Sequence, residues 1–365
     1  MNDIYEQLAL HLSTLCMGLP YRDDLLTILK NDLSTTEAGV LLLLPTKVAP
    51  LQLATVADLA TDNLPAAELA EMLEKLAQRG WLFSGITGSG ATGYALQQMG
   101  FGFPQLFFWK GANTPQAKNM ASLVSKYLNR QVITESYASS RTKPFRFIPV
   151  GQSIDHKLQA VFPYHMMETV VAQAKVFAVC HCACRVGQHV VGKPCQHPLE
   201  VCIKFNELAE YVINKELGRE ITRTEALKII KQSEDSGLVH FVDNATRDIK
   251  HNCNCCGCAC WSVGSIRKRK IPRDILMATY FIRETDRDKC LGCGSCIDIC
   301  PVNAIVIKDG YATIDNDWCI GCGLCVPQCP NEAAILKLRT DRTAQSPEPN
   351  FRELYHKILK EKGLI

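Results

Sequence analysis

The sequence lacks the features that would place the chain in a membrane or outside the cell. Its longest strongly apolar run, residues 40–44, ends at Pro45, far short of the ~20 apolar residues that a membrane span needs. The first ten residues carry Asp3 and Glu6, where a secretory signal would have positive charge followed by an apolar stretch. We therefore expect a cytoplasmic protein without membrane insertion.

The sequence also lacks a large excess of charge of either sign. Lys and Arg number 40 against 37 Asp and Glu, which gives a formal net charge of +3. A balance this even does not favour nucleic acid or anionic lipid as a partner. Of the 365 residues, 47% are hydrophobic and 21% are charged, which excludes disorder as the main state. The length predicts two or three domains.

A dinucleotide-binding motif is missing as well, despite one glycine-rich segment. Residues 88–93 match the pattern GxGxxG, but a nucleotide loop requires a following helix and an acidic residue ~20 positions further on. No Asp or Glu occurs between Glu74 and Glu135, and β-type residues follow the glycines. The segment is therefore predicted to be a hairpin turn, and the sequence shows no flavin or nicotinamide motif.

Cysteine, in contrast, is abundant. Eighteen of the 19 cysteines fall in three blocks, 180–202, 253–260 and 290–329, and only Cys16 stands apart from them. Thiols are kept reduced in the cytoplasm, so dense cysteine there indicates metal binding more often than disulfides. An odd number of cysteines also fits a disulfide scaffold poorly. The three blocks are therefore the candidate functional residues of the chain.

Residues 1–130 show the pattern of a helical domain. The segment 34–37, Ser-Thr-Thr-Glu, has the form of a capping box, a helical stretch follows at 51–60, and another helix is predicted from Pro65 to a C-terminal cap at Gly80. Two strands then flank the glycine-rich turn, which gives the element order of a winged helix. The last of these helices has a net charge of −1, so we expect packing or protein docking here rather than nucleic-acid binding.

Residues 286–340 contain two copies of the pattern C-x2-C-x2-C-x3-C-P, offset by 29 residues. A tight CxxCxxC loop can supply three thiolates to a cubane cluster, and the fourth must come from elsewhere. A structural zinc site consists of self-contained knuckles and does not explain the doubled three-plus-one spacing. Over about 55 residues the segment resembles a bacterial-type dicluster ferredoxin domain.

This resemblance implies two [4Fe–4S] clusters that exchange their fourth ligands. The ligands implied for cluster one are Cys290, Cys293, Cys296 and Cys329. Those implied for cluster two are Cys319, Cys322, Cys325 and Cys300.

Residues 131–285 carry ten further cysteines, which are Cys180, Cys182, Cys184, Cys195, Cys202, Cys253, Cys255, Cys256, Cys258 and Cys260. Because alternate residues of an extended segment lie on one side, two facing CxC-type segments could hold a cluster. We expect an additional Fe–S centre, with structural zinc or a redox-thiol role as alternatives. The expected core set comprises Cys180, Cys182, Cys184, Cys195, Cys255, Cys256, Cys258 and Cys260.

Neighbouring residues add detail to this expected centre. Adjacent Cys255 and Cys256 cannot both point at one ion without a sharp bend, which Gly257 is predicted to allow. The nearby histidines are expected beside the centre or at the surface rather than as ligands. Arg185 could tune a cluster, hold an anionic substrate or form a salt bridge. The basic run 267–270 is expected to be a solvated face or a dock for an acidic partner.

At full length the sequence resembles a group of cytosolic 4Fe–4S binding proteins of anaerobic bacteria. The matching elements include the winged-helix-like N-terminus and the dicluster block, together with Cys184-Arg185, Cys195, 198–202 and 253–258. The resemblance implies single-electron transfer between redox protein partners. Two alternatives remain, an Fe–S subunit of an oxidoreductase with chemistry at the middle centre and a redox-sensing transcriptional regulator.

The predicted fold class is α+β, built from four parts in chain order. They are a winged-helix-like domain (1–130), a cysteine-rich middle domain (131–285), a dicluster ferredoxin domain (286–340) and a tail (341–365). The tail ends in an amphipathic stretch, which could pack on the body or dock to a partner.

Overall fold

The structure is a computed structural model that describes residues 3–62, 64–155, 159, 163–340 and 346–365. The first residues of the predicted tail, 341–345, lie outside the described residues. The chain combines helices with small, mostly antiparallel sheets, which agrees with the predicted α+β class.

The N-terminal part is built from helices that precede a three-stranded antiparallel sheet of order β1-β3-β2. Its helices are α1 (Ile4–Ser13), α2 (Asp23–Asp32), α3 (Thr35–Leu42), α4 (Val56–Leu59) and α5 (Ala66–Gln78). Its strands are β1 (Ala54–Thr55), β2 (Leu82–Ile86) and β3 (Thr92–Leu96). The sequence predicts helices followed by a two-stranded hairpin, whereas the structure adds a third strand, β1, between α3 and α4.

The structure confirms the capping box and the hairpin turn that the sequence predicts in the N-terminal part. The hydroxyl of Ser34 accepts a hydrogen bond from the Glu37 N–H, and the Glu37 carboxylate accepts one from the Ser34 N–H, so the capping box is complete. Strands β2 and β3 pair from Leu82 to Ile86, so the glycine-rich segment is a hairpin turn as predicted. The helix expected over 51–60 is shorter, because β1 pairs with β3 and leaves only α4.

A connecting region leads from this part into the middle of the chain. It contains β4 (Gln98–Met99), β5 (Gly102–Phe103), α6 (Pro115–Tyr127) and α7 (Arg130–Ala138). Helix α6 packs on α2 on one side and, on another, on a helix of the middle domain that begins at Ala183. The main hydrophobic core is therefore continuous from the N-terminal part into the middle part.

The middle part centres on a six-stranded antiparallel sheet of order β6-β10-β11-β8-β7-β9. Its strands are β6 (Phe145–Ile148), β7 (Phe177–His181), β8 (Glu200–Phe205), β9 (Arg219–Glu220), β10 (Val239–Asp243) and β11 (His251–Cys255). Its helices are α8 (Met167–Gln173), α9 (Ala183–Val190), α10 (Asn206–Asn214) and α11 (Arg223–Asp235). Two chain-distant cysteine segments become neighbours because β11 pairs with β8 and β8 with β7.

Two helices of the middle part follow β8 and β9 directly. Helix α10 packs on β7 and β8. Helix α11 begins after Thr222, whose hydroxyl accepts a hydrogen bond from the Glu225 N–H. The Glu225 carboxylate pairs with Arg219, so only half of a capping box is formed.

The C-terminal cysteine loops lie within a frame of two strand pairs. Helices α12 (Val263–Arg267) and α13 (Arg273–Leu276) lead into β12 (Phe281–Thr285), which pairs with β15 (Ala334–Leu338). Between them come α14 (Ser295–Asp298) and the hairpin of β13 (Ile305–Lys308) and β14 (Tyr311–Ile314). One cysteine loop precedes this hairpin and the other follows it.

The end of the chain packs on the body of the protein. Helix α15 (Phe351–Glu361) buries its apolar face, and the ring centroids of Phe351 and Tyr355 lie 5.5 and 5.3 Å from that of Phe101. The Glu361 carboxylate accepts hydrogen bonds from the N–H and the hydroxyl of Thr142. These contacts decide between the two roles expected for the amphipathic stretch in favour of packing on the body.

Candidate metal centres

Glycines at equivalent places shape the two ferredoxin-type loops. Gly292 and Gly321 have φ angles of +65° and +63°, a conformation that glycine adopts without a steric penalty. A Cβ at Gly321 would lie 2.1 Å from the carbonyl oxygen of Phe281, and one at Gly292 would lie 2.6 Å from that of Gly310. Both loops can therefore fold tightly only with glycine at these positions.

The second loop encloses a cavity lined by four thiols. These are Cys300, Cys319, Cys322 and Cys325, and all four are buried. They are the four side chains that the ferredoxin resemblance assigns to cluster two, three from one repeat and one from the other. Burial raises the pKa of Cys325 to about 12, so binding a cation must supply the free energy that deprotonates this thiol.

The first loop is more open to solvent. Cys296 is buried, whereas Cys293 is exposed, and Cys290 and the remote Cys329 are half-buried. Backbone N–H groups of Ala312 and Ala333 donate to the sulfurs of Cys290 and Cys329 at 3.3 and 3.2 Å. That Cys329 completes cluster one stays a prediction.

A buried arginine lies beside both loops. Arg283 is 2% exposed and lines the cavity of the second loop. Burial raises the pKa of Cys296 and of Cys325, and the positive charge of Arg283 opposes this rise at both thiols. Its Nε has no hydrogen-bond partner within the described residues. A buried cation in this position suits an anionic cluster. The sequence did not indicate the role of Arg283, because nothing beyond its residue type distinguishes it from other arginines.

The middle cysteines separate into three groups, of which the first contains a histidine. We name Cys195, His197, Cys256 and Cys258 the His197 group; their ligand atoms all lie within 4.8 Å of one another. The Cys195 sulfur is 3.7 Å from that of Cys256 and 3.2 Å from that of Cys258. The sequence predicts His197 beside the centre or at the surface, and the structure places it at ligand distance. The signal for it was the spacing Cys195-x-His197 opposite Cys256-x-Cys258.

The second group joins the start of α9 to the end of β11. Its members, the Cys184 group, are Cys182, Cys184, Cys255 and Cys260. The thiol of Cys184 lies close to those of Cys182 and Cys260, and the thiol of Cys255 lies close to those of Cys260 and of Cys253 on β11. Two chain-distant segments thus contribute neighbouring thiols to this group.

The third group is a row across three neighbouring strands. Cys180 on β7 pairs in register with Cys202 on β8, and the Cys202 sulfur lies 3.8 Å from that of Cys253 on β11. Lys204, only 4% exposed, lies two residues further along β8, with its ammonium 5.1 Å from the centroid of the Trp109 ring. The structure therefore divides the expected core set, because Cys180 falls in this Cys202 row rather than with Cys182 and Cys184.

Arg185 lies between the first two groups. It is fully buried and donates to the carbonyl oxygen of Asn254 at 3.1 Å. Burial acts to lower its pKa, but the nearby sulfurs of Cys182 and Cys256 outweigh this effect and raise it. In the described part of the chain its Nε and Nη2 have no hydrogen-bond partner, and no carboxylate pairs with it. These orphaned donors fit an anionic metal–thiolate centre rather than a carboxylate salt bridge.

The thiol-rich turn of residues 255–258 packs directly on the ferredoxin unit. A Cβ at Gly257 would lie 1.9 Å from the carbonyl oxygen of Pro301, the residue after Cys300. Residues 257–259 form a turn, so the chain bends here as predicted. Gly257 does not have positive φ, and it is the close approach of Pro301 that requires glycine. Cys255 and Cys256 belong to different groups, so they do not point at one ion.

The basic run 267–270 contributes to the same junction. Its side chains are exposed, as expected for a solvated face, but Arg269 also donates to the carbonyl oxygens of Val302 and Asn303. The Arg269 guanidinium lies 4.6 Å from the centroid of the Trp318 ring. The middle part and the ferredoxin unit are therefore held together on both sides of Pro301.

Comparison with known proteins identifies the C-terminal unit. The model of the family described as "4Fe-4S dicluster domain" matches residues 283–337. The chain is 42% identical over 82 residues to a component of the ion-translocating oxidoreductase complex of Methanosarcina acetivorans. The aligned segment covers 21% of this chain and 28% of that protein. It is 52% identical over 27 residues to Ferredoxin-2 of Desulfomicrobium norvegicum, which is 7% of this chain and 46% of that protein.

These matches are local. The chain spans 28% and 46% of the length of the two curated relatives, and no solved structure matches it. They support an iron–sulfur, ferredoxin-type domain at residues 283–337 and a link to electron transport. Among the helices of the described residues, none has the length and apolar character to cross a bilayer.

Proposed function

We propose that this chain is a cytoplasmic iron–sulfur protein that passes single electrons between redox protein partners. Two [4Fe–4S] clusters at the eight ferredoxin cysteines and one further centre in the middle domain would supply the one-electron chemistry when bound. The observation that carries the proposal is the packing of Gly257 on Pro301. This contact brings the turn of residues 257–259 against Pro301, which follows Cys300 and lines the cavity of the second loop.

The further redox centre is assigned to the Cys184 group. Its thiols are contributed by two segments that the β8–β11 pairing brings together. Arg185 supports the assignment, because its charge lies near the sulfurs of Cys182 and Cys255 and its Nε and Nη2 have no hydrogen-bond partner within the described residues. A buried unpaired arginine is costly, and an anionic cluster beside it removes that cost.

Partner docking is assigned to the open end of the ferredoxin unit. Leu291, between Cys290 and Cys293, is 75% exposed, and Val306 on β13 is 57% exposed. Cys293 itself is exposed, so cluster one would lie close to the surface there. Apolar side chains around an exposed redox group suit a transient contact with another redox protein.

The N-terminal unit is assigned as a winged-helix-like packing element rather than a nucleic-acid reader. Helix α5, which would be the reading helix, is tied to the middle part by the hydroxyl of Tyr211, which donates to the carbonyl oxygen of Ala77 at 3.1 Å. Lys215 also pairs with Glu74 on α5 at 2.6 Å. These contacts and the acidic character of α5 disfavour the regulator hypothesis.

A second function, as an Fe–S component of a larger oxidoreductase complex, is favoured by one comparison. The relative from Methanosarcina acetivorans is named as part of such a complex, and the 82 aligned residues are 42% identical to it. Purification of the protein from its native cells under mild conditions separates the two proposals. Elution with a stoichiometric flavoprotein or membrane protein supports membership of a complex, and elution alone supports the independent carrier.

Iron analysis tests the three-cluster assignment. Protein purified without oxygen should contain about 12 iron atoms with matching sulfide, eight from the ferredoxin pair and four from the middle centre. Cys184→Ser should lower iron to about 8 and remove one EPR signal, because it deletes a ligand of the Cys184 group. The matched control is Cys16→Ser, at the buried cysteine outside the three blocks, which should leave iron unchanged.

Two outcomes would contradict the assignment. Iron well below 8 in the wild-type protein after reconstitution would exclude the dicluster itself. Unchanged iron in Cys184→Ser would exclude the middle cluster at this position while leaving the ferredoxin clusters in place.

A further inference from the structure

The four members of the His197 group stand at the spacing of ligands around a single ion. Their donor atoms all lie within 4.8 Å of one another, and the Cys195 and Cys256 sulfurs are 3.7 Å apart. A tetrahedral zinc ion with Zn–S bonds of about 2.3 Å requires sulfur–sulfur separations of about 3.8 Å.

The donor set also suits zinc. Three thiolates and one imidazole form one of the ligand combinations of structural zinc sites. The backbone of Ser236 lies beside the His197 ring. Metal-ligating histidines commonly orient their second nitrogen by such a contact.

We propose that Cys195, His197, Cys256 and Cys258 bind one zinc ion in a site separate from the Cys184 group. Four protein ligands leave no open position, so the site is structural rather than catalytic. The middle domain would then hold two centres of different kinds on either side of Arg185. This assignment does not depend on electron transfer, because a zinc ion does not change its oxidation state.

The position of the site gives it a structural task. The chain between α9 and β8 has little regular structure and contains both Cys195 and His197. Zinc would tie this loop to the turn of Cys256 and Cys258, whose Gly257 packs on Pro301. The ion would thus fix the turn that joins the middle part to the ferredoxin unit.

Metal analysis of the full-length protein, purified without oxygen, tests the proposal. Wild type should contain one zinc per chain in addition to its iron, and X-ray absorption at the zinc edge should show three sulfurs and one nitrogen. This measurement needs no variant, so it does not depend on how a substituted chain folds. Absence of zinc from the wild type, or a zinc shell of oxygen and nitrogen only, would overturn the proposal.

Variants separate the two centres. His197→Ala should lose zinc and keep its iron, whereas Cys184→Ser should keep zinc and lose iron. His197→Cys should retain the ion with four sulfur ligands, which shows that the position is a ligand and not a packing residue. Loss of iron instead of zinc in His197→Ala would assign the His197 group to a cluster and refute the zinc site. The EPR signals of the ferredoxin pair test the electron-transfer proposal separately.

Discussion

Replacement of Gly257 by alanine tests whether the thiol-rich turn and the ferredoxin unit form one packed junction. The added Cβ would lie 1.9 Å from the Pro301 carbonyl oxygen and 2.9 Å from Cδ of Arg267. The Arg267 side chain is flexible and exposed, so it can move away at little cost. The Pro301 carbonyl is backbone and follows Cys300 directly, so it can move only if a proposed ligand of cluster two moves with it.

The size of the effect follows from this contact. Gly257 does not have positive φ, so alanine meets no penalty from backbone conformation. Overpacking of a closely packed site costs about 1–3 kcal/mol. We therefore expect Gly257→Ala to lower the free energy of unfolding by about this amount and to alter the EPR signal of cluster two, with a smaller effect on that of cluster one.

The assay is urea denaturation of the metal-loaded protein without oxygen, with EPR of the folded protein alongside it. Gly187→Ala is the matched control, since its added Cβ would be 3.9 Å from Phe108 and 4.0 Å from Trp261. Alanine in the middle of a helix is favoured over glycine by about 0.5–1 kcal/mol, so the control should be as stable as wild type or more so. A Gly257→Ala protein with wild-type stability and an unchanged spectrum would refute the junction.

Two further predictions concern a buried charge and a helix cap. Arg185→Met should lower the midpoint potential of the middle centre, because a nearby positive charge favours the reduced form. The expected fall is on the order of 60 mV, which corresponds to a tenfold change in the equilibrium constant for one electron. An unchanged potential in an EPR-monitored redox titration would contradict the prediction. Ser34→Ala should lower the free energy of unfolding by about 0.5–2 kcal/mol through loss of the α3 cap. Burial opposes ionisation of Glu37, but the Ser34 N–H and Arg79 together hold the pKa of its carboxyl below the usual value. The stabilisation that the Glu37 carboxylate contributes is therefore present at neutral pH and is lost as pH falls through that lowered pKa. An unchanged urea midpoint for Ser34→Ala at pH 7 would show that the cap is unimportant.

Local sequence signals predicted the parts of the structure that depend on neighbouring residues. The capping box at Ser34 and the hairpin at residues 88–93 rest on contacts within a few positions. The doubled cysteine spacing likewise identified the ferredoxin unit, which the family match at residues 283–337 supports. In each case a short stretch of chain contains all the information that the geometry needs.

The grouping of the middle cysteines could not be predicted in this way. It depends on the pairing of β8 with β7, which joins Cys180 to Cys202, and on the pairing of β8 with β11, which joins Lys204 to His251. Patterns within a few neighbouring residues do not specify such long-range pairing. The same long-range packing explains Gly257, whose neighbour is Pro301, and Arg283, which is buried beside both ferredoxin loops. His197 could have been found from its spacing to Cys195, but only together with the knowledge that residues 256–258 face it.

Three buried cations link metal binding to the stability of the fold. Arg185, Lys204 and Arg283 are each less than 5% exposed, and within the described residues no carboxylate forms an ion pair with any of them. Each lies instead beside cysteines, whose thiols are neutral when protonated. A buried cation without a counter-charge destabilises a protein by several kcal/mol, whereas thiolates around a bound metal would supply that charge. Metal loading is therefore expected to stabilise the middle and ferredoxin parts together, because Arg185 and Arg283 lie beside thiols of the proposed metal centres.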